Sequence, residues 1–418
     1  MNAQIPNGWT CRKLNELGFV GRGKSKHRPR NEPSLYGGNY PFIQTGDVKA
    51  ADLYIMGYSQ TYNEKGLSQS KLWQPGTLLI TIAANIAETA ILGIEACFPD
   101  SIVGFVADPN KADVRFIKYY IDTVKLRMQN ISKGTTQDNL SVDKLLAFDF
   151  LTPPLHVQRK IAAILSAYDD LIENNTRRIK LLEQAAHDLY REWFVHFRFP
   201  GHEDVEMVES ELGTIPQGWE VGVFSDIADI LSGGTPKTKV EEYWDGDIPF
   251  FSPKDAGSSF YVMATERNIT ELGVSKCNSR LYPKDTVFIT ARGTVGTVRM
   301  PPVAMAMNQS CYALVGKNGI PQYFIFLMIC DRAEHLQQQA HGAVFDTIIV
   351  DTFHRLEVVT PPQLLVQEFI ELVTPVFNQI LNLLQRNEKL RETRDLLLPR
   401  LVSGEVDVSE LEIEIEET

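Results

Sequence analysis

Apolar positions settle into a three–four rhythm after Pro153. Ile161, Leu165, Tyr168, Ile172, Asn175, Ile179, Leu182, Ala186, Leu189 and Trp193 alternate as the a and d positions of a coiled coil, with Asn175 the one polar member. A looser version returns as Phe369, Val373, Phe377, Ile380, Leu384, Asn387, Leu390, Arg394, Leu397 and Leu401, and Pro375 within it predicts a kink or restart. Each stripe predicts a helix of roughly 35–40 residues, about 50–60 Å long at 1.5 Å per residue. Stripes of this kind usually mark core helices. Here their length and their duplicated flanks favour a pair of spacer helices. The roughly 150 residues ahead of each helix read differently: short β-rich runs (Leu78 to Ile82; Val287 to Thr290) alternate with Gly/Pro turns. One amphipathic helix is expected at about 114–130 and another at about 321–340.

The same order is written twice. Pro6-Asn7-Gly8-Trp9 returns as Pro216-Gln217-Gly218-Trp219, Pro41-Phe42 as Pro249-Phe250, Asp47 as Asp255 and Pro75 as Pro283. Gly134, Asp138, Val142 and Asp143 return as Gly342, Asp346, Val350 and Asp351, and Thr152-Pro153-Pro154 as Thr360-Pro361-Pro362. Collinear matches at offsets of 208–210, half of the 418 residues, make this a tandem duplication.

A net charge of −12 speaks against nucleic acid only until it is located. Residues 203–211 hold five acids and residues 405–418 hold seven, neither with a base, so the rest of the chain is formally neutral. A DNA-binding surface stays open. The five cysteines (11, 97, 277, 311, 330) are scattered and never in C-x-x-C, which argues against a disulfide framework or zinc ribbon and fits a reducing cytoplasm. No secretory signal is visible at the start, and no apolar run approaches the ~18 residues of a membrane helix.

Gly18-x-x-x-x-Gly23-Lys24-Ser25 matches a P-loop formally, but the mechanism needs a helix to follow, and Pro29 and Pro33 forbid one. The segment reads better as a basic loop. Arg22, Lys24, Lys26, Arg28 and Arg30, with His27 among them, suit phosphates and the edges of guanine. A solvated loop of no function is the bland alternative. The second half offers Ser232-Gly233-Gly234-Thr235-Pro236-Lys237-Thr238-Lys239, whose Thr235, Lys237 and Lys239 suit phosphate contacts. Lys254 belongs to the same candidate set; Arg292 stands on a turn after a strand, and Asn308-Gln309 supply amides for adenine. Each of these signals is weak alone. Histidines show no metal spacing, no G-x-S-x-G elbow appears, and no Pro-Pro pair sits in the tetrad expected of an adenine methyltransferase. Catalytic and metal residues are therefore expected to be none.

The sequence resembles the specificity subunits of type I restriction–modification systems over essentially its whole length. The resemblance rests on Pro-x-Gly-Trp opening each half; on Ser232 to Pro236, Tyr243-Trp244, Ile248-Pro249-Phe250, Arg292-Gly293 and Asn308-Gln309; and on Phe194-x-x-Phe197-Arg198-Phe199-Pro200-Gly201 and Leu397-Leu398-Pro399-Arg400-Leu401-x-Ser403-Gly404. Gly21 to Arg30 with Tyr40 to Val48 is similar to one recurrent class of target recognition domain, whereas Ala83-Ala84-Asn85 lacks the Arg-Gly of 292–293.

The resemblance implies an α+β fold: a tandem duplication of two globular α/β target recognition domains separated by two long helices pairing as an antiparallel coiled coil, pseudo-two-fold. Its expected parts are recognition domains at 1–152 and 215–360, spacer helices at 153–200 and 361–404, an acidic linker at 201–214 and an acidic tail at 405–418. It further implies a non-catalytic, cytoplasmic reader of a split, asymmetric site in double-stranded DNA, bound to two methyltransferase subunits and two restriction (motor–nuclease) subunits. No cofactor is expected in this chain; S-adenosylmethionine, ATP and Mg belong to the partners. A P-loop ATPase, a stand-alone DNA methyltransferase and a scaffold that does not touch DNA are the alternatives.

Overall fold

The computed structural model describes residues 5–27, 29, 31–132, 140–341 and 347–413. The chain forms two compact units, Met1–Asn174 with Glu388–Thr418, and Asn175–Asn387. Both long helices are divided between them. Leu155–Phe194 and Gln363–Val402 are each continuous over 40 residues.

In the first unit, five strands run in the order Gly18–Arg22, Ile102–Ala107, Leu78–Thr81, Thr89–Leu92, Tyr54–Ile55, antiparallel except for the last pair. Leu78–Thr81 is wholly buried, which is why its apolar run is continuous rather than alternating. Leu78 and Ile80 face the core that contains Phe116 and Ile117 of the helix Val114–Ser132, while Leu79 faces Trp73 and Phe98. The second unit repeats the scheme: Ala228–Ser232, Cys311–Gly316, Val287–Thr290 and Val298–Arg299 form one sheet. Val287 and Ile289 join the core with Phe324, whereas Phe288 turns to Phe251 and Tyr282. The duplication read from scattered prolines and tryptophans is thus a duplication of topology.

The helices pair antiparallel within each unit. In the first, Ile161 and Leu165 are buried with Leu401 and Val402, and Leu397 packs beside them. In the second, Ile179, Ala186, Tyr190 and Trp193 pack with Phe369, Val373, Phe377 and Ile380, and Leu182, Leu189 and Leu384 lie partly buried alongside. Ile172 is buried and Leu390 half-buried. Both asparagines of the seam have partners: Asn175 Nδ2 donates to Asn387 Oδ1 (2.9 Å) and Asn387 Nδ2 to Thr176 Oγ1 (3.2 Å).

Three expectations need correcting. The second helix runs unbroken through Pro375 and does not restart there. It stands on the exposed face, where water can take the Glu371 carbonyl that lacks its usual donor. The stretch 201–214, expected as a linker, contains a turn at His202–Asp204 and the strand Met207–Ser210, which pairs with Gly213–Pro216 as a hairpin. The charges point outward while Ile215 is buried. The second long helix is also long and apolar enough, by length and composition alone, to cross a membrane, although no unbroken apolar run marks it. Phe369, Val373, Phe377 and Ile380 of that helix are packed in the core of the second unit. At the other end, the start of the acidic tail is anchored: Val408 is buried in the first unit, and Lys160 Nζ donates to the Ser409 carbonyl (2.5 Å).

Candidate nucleic-acid interface

After the strand Ala228–Ser232 the chain turns at Gly233 and Gly234, pressed against neighbouring backbone. A Cβ on Gly233 would lie 2.0 Å from the Asn308 carbonyl oxygen, and one on Gly234 2.6 Å from the Asn278 nitrogen. Only glycine allows that approach. Gly234 N donates to the Met307 carbonyl (3.1 Å), and Thr235 Oγ1 then donates to Gln309 Oε1. Across from them, Arg292 stands exposed on a turn where Gly293 takes φ +82°. Burial raises the pKa of Tyr312, and the Arg292 guanidinium partly offsets the shift.

Thr235, Lys254, Arg292, Asn308 and Gln309, five of the candidates, line one cleft of about 430 Å³ with Trp244, Ser252, Asp255, Glu266 and Arg267. Lys237 and Lys239 do not line it; they lie exposed along the following loop, where the Lys237 carbonyl accepts from Trp244 Nε1 (3.4 Å). Asp255 is occupied in holding the cleft floor. Its Oδ2 accepts from Ser252 N (2.8 Å) and Oγ (2.6 Å), and its Oδ1 from Glu266 N (2.8 Å). Glu266 and Lys254 are 4.0 Å apart and both exposed, so their pairing contributes little. Three cations, two amides and several hydroxyls face a space open to solvent. That set suits an anionic ligand with polar edges.

The first unit carries a cleft of about 360 Å³ lined by Ser25, Asn31, Tyr36, Phe42, Gln44, Thr45, Gln60, Pro99 and Ser101. Asp47 again holds the floor, accepting from Gln44 N at 2.7 Å. The basic loop passes this cleft rather than filling it. Arg22 donates from Nε to the Asp100 carbonyl, Lys24 N donates to the Phe98 carbonyl (2.9 Å), and Lys26 N and His27 N share Gln69 Oε1 (2.6 and 3.0 Å). Arg22, Lys24 and Lys26 stay exposed and His27 half-buried; Arg28 and Arg30 lie outside the described residues. The P-loop match dissolves here. Gly18–Arg22 is a strand paired with Ile102–Ala107, and the next helical element is the single turn Pro33–Leu35.

One feature of the repeat was invisible in the residue types. The first unit lacks Arg-Gly at 83–85, yet Ala84 (φ 62°) and Ala87 (φ 60°) hold the left-handed backbone that Gly293 (φ 82°) and Gly296 (φ 79°) hold in the second. An alanine there is strained by about 1–2 kcal/mol, so the turn's shape is kept at some cost while its arginine is absent. Sequence reasoning also missed Gln60 and Arg267, which lie outside every motif. Strand register places them, as described below.

Two copies of one mixed module, each with a polar cleft in the same place, define a duplicated ligand-reading scaffold built on paired helices. The sequence matches the type I restriction modification DNA specificity domain over residues 6–184 and again over 216–392, and the chain belongs to that family. It is 27% identical to the type I restriction enzyme MjaIX specificity subunit of Methanocaldococcus jannaschii, over 98% of this chain and 96% of that one. With the HindI specificity subunit of Haemophilus influenzae it shares 24% identity over 66% of this chain and 72% of the other. Among solved structures, the type I S subunit from M. genitalium superposes with a TM-score of 0.61 at 16% identity, covering 96% of this chain and 98% of that one, and so shares the fold. Proteins of this family recognise DNA sequence, direct the restriction–modification complex to it and work with methyltransferase and restriction subunits.

Proposed function

We propose that this chain reads a bipartite, asymmetric site in double-stranded DNA, one part by each unit, without chemistry of its own. The observation that carries this reading is the pair of clefts at equivalent places of the repeat with different linings: cationic and amide in the second unit, hydroxyl and amide among the described residues of the first. Two readers that differ cannot read a palindrome. Thr235, Lys254, Arg292, Asn308 and Gln309 serve the second reader, with Lys237 and Lys239 on phosphates. Arg22, Lys24, Lys26 and His27, together with Arg28 and Arg30, serve the first. Two methyltransferase and two restriction subunits complete the assembly in the cytoplasm, bringing S-adenosylmethionine, ATP and magnesium. Co-expression with the methyltransferase partner in a methylation-free host, followed by methylation mapping, tests the reading. One split, asymmetric site is expected, and a continuous or palindromic site overturns it.

Lys24→Ala should weaken DNA binding by the assembled complex and lower the slope of log K against log salt by about 1, the value of one phosphate contact. An unchanged slope removes Lys24 from the interface, and ATP affinity of the purified chain that disappears with the substitution would revive the P-loop.

Helix length should set the gap between the two parts of the site. By the register of Asn175 with Asn387 and of Trp193 beside Phe369, a break after Leu182 faces one after Gln379. A heptad inserted at both keeps the seam in phase and lengthens each helix by about 10 Å. Methylation mapping should show the gap wider by about one to three base pairs, given 3.4 Å per pair, with both half-sites unchanged. Altered half-sites with the old gap would mean that the helices do not measure it.

A further inference from the structure

In both units an eight-residue-scale ribbon forms the cleft wall, and its register defines a position the motifs do not reveal. In the first unit Tyr36–Phe42 pairs with Gln60–Tyr62, Pro41 opposite Thr61 and Phe42 opposite Gln60. In the second, Trp244–Phe251 pairs with Asn268–Ile269, Pro249 opposite Asn268, and Phe250 N donates to the Arg267 carbonyl (3.0 Å). Pro41-Phe42 and Pro249-Phe250 are the same place in the repeat, so Gln60 and Arg267 are equivalent. Each lies at the mouth of its own cleft. Both ribbons also shift register at the same point, after Tyr36 and after Trp244, which places an aromatic ring in each lining.

The two equivalent side chains are prepared in different ways. The Arg267 guanidinium lies over the Trp244 ring, 3.4 Å from its centroid, while Trp244 itself is buried. A guanidinium laid flat on an indole has lost most of its rotamer freedom, and its edge still carries donors only. Two parallel N–H groups match two acceptors, the O6 and N7 of guanine. Gln60 instead pairs with Gln44, whose Nε2 donates to Gln60 Oε1 at 2.7 Å. Whichever way both amides are turned, the pair keeps one carbonyl and one amino group for an outside partner. One acceptor from one glutamine and one donor from the other complement the N6 amino group and N7 of adenine, whereas guanine would set a carbonyl against an acceptor.

We propose that this repeat-equivalent position selects a base in each half-site, Arg267 a guanine in one and the Gln44–Gln60 pair an adenine in the other. The inference rests on the reading of the chain as a two-part DNA reader and assigns its specificity to two positions. Arg267 and Gln60 are specificity residues and Trp244 and Gln44 position them.

The test uses the full chain with its methyltransferase partner and methylation mapping. Arg267→Gln should lower discrimination at a single G·C pair of one half-site by about ten- to a hundredfold and leave the other half-site intact. Arg267→Lys keeps the charge but not the fork, and should relax the same pair. Gln60→Ala should relax one A·T pair in the opposite half-site. An unchanged map for Arg267→Lys makes the arginine a point charge and overturns the assignment. So does a uniform loss over all sequences, or inactivity of both arginine variants in folded complexes. If the unmodified complex yields no two-part site, it is the underlying reading that fails. If that site is intact and the variants leave it unchanged, only the base assignment falls.

Discussion

Asp169→Ala should destabilise the first unit by about 3 kcal/mol, at the lower end of the range for a buried ion pair left with one partner. Asp169 is 2% exposed and sits between two helices and a tyrosine. Its Oδ1 accepts from Arg394 Nη1, and its Oδ2 from the Tyr119 hydroxyl at 2.5 Å. Burial, then the Asp169 charge, pushes the Tyr119 phenol far above its usual range. Burial alone would lower the Arg394 pKa, but the Asp169 and Asp395 carboxylates together outweigh it and the net shift is upward. Removing the carboxylate therefore strands a partly buried guanidinium and leaves the phenol without its acceptor. The guanidinium retains Asp395 (2.9 Å), which limits the loss. Hydrogen exchange on the full chain should report faster exchange in peptides covering 116–121 and 161–169. Asp169→Asn should recover part of the loss. The triple change Tyr119→Phe, Asp169→Leu, Arg394→Met should come close to the parent, because replacing a buried network by apolar groups is often neutral. Asp169→Ala within about 0.5 kcal/mol of the parent would show the network to be dispensable.

A chain cut within the acidic stretch 203–211 should give an N-terminal half that dimerises. Ile179, Ala186, Tyr190, Trp193 and Phe194 lose every partner supplied by Phe324, Phe369, Phe377 and Ile380. Leaving the larger of these side chains in water costs about 1.5–3 kcal/mol each, so the stripe will seek cover. A second copy of Leu155–Phe194 is the closest substitute for Gln363–Val402, since the two are repeats, and it closes a two-fold pair. Light scattering after size exclusion should give twice the mass of the half. With the methyltransferase partner, such a dimer should mark a symmetric split site. A folded, soluble monomer would contradict the account of the seam.

Duplication and helix seams were legible in the residues because each depends on spacing along the chain. Offsets of 208–210 survive in prolines, glycines and tryptophans, whose backbone and packing demands are local. The three–four stripe marked both long helices and Asn175 as the exception within the first. It could not say that Asn175 bonds Asn387, nor that Arg394 at an a/d position is there to meet Asp169, which no stripe contains. Those pairings join residues more than two hundred positions apart. Pro375 does not end the helix because it stands on the exposed face, where a missing N–H costs little, and periodicity alone did not say which face meets solvent. The clefts divide in the same way. Thr235, Arg292, Asn308 and Gln309 could be picked by residue type and motif, but only the close approach at Gly233 and the strand pairing bring them to one place with Lys254. Arg267 and Gln60 carry no signal at all in one dimension. Their equivalence comes from hydrogen-bond register across a strand pair, and their chemistry from what lies beside them, an indole face in one unit and a second amide in the other. Sequence spacing determines what is periodic along the chain; which distant side chains meet, and so what each cleft can read, is decided only when the strands have paired.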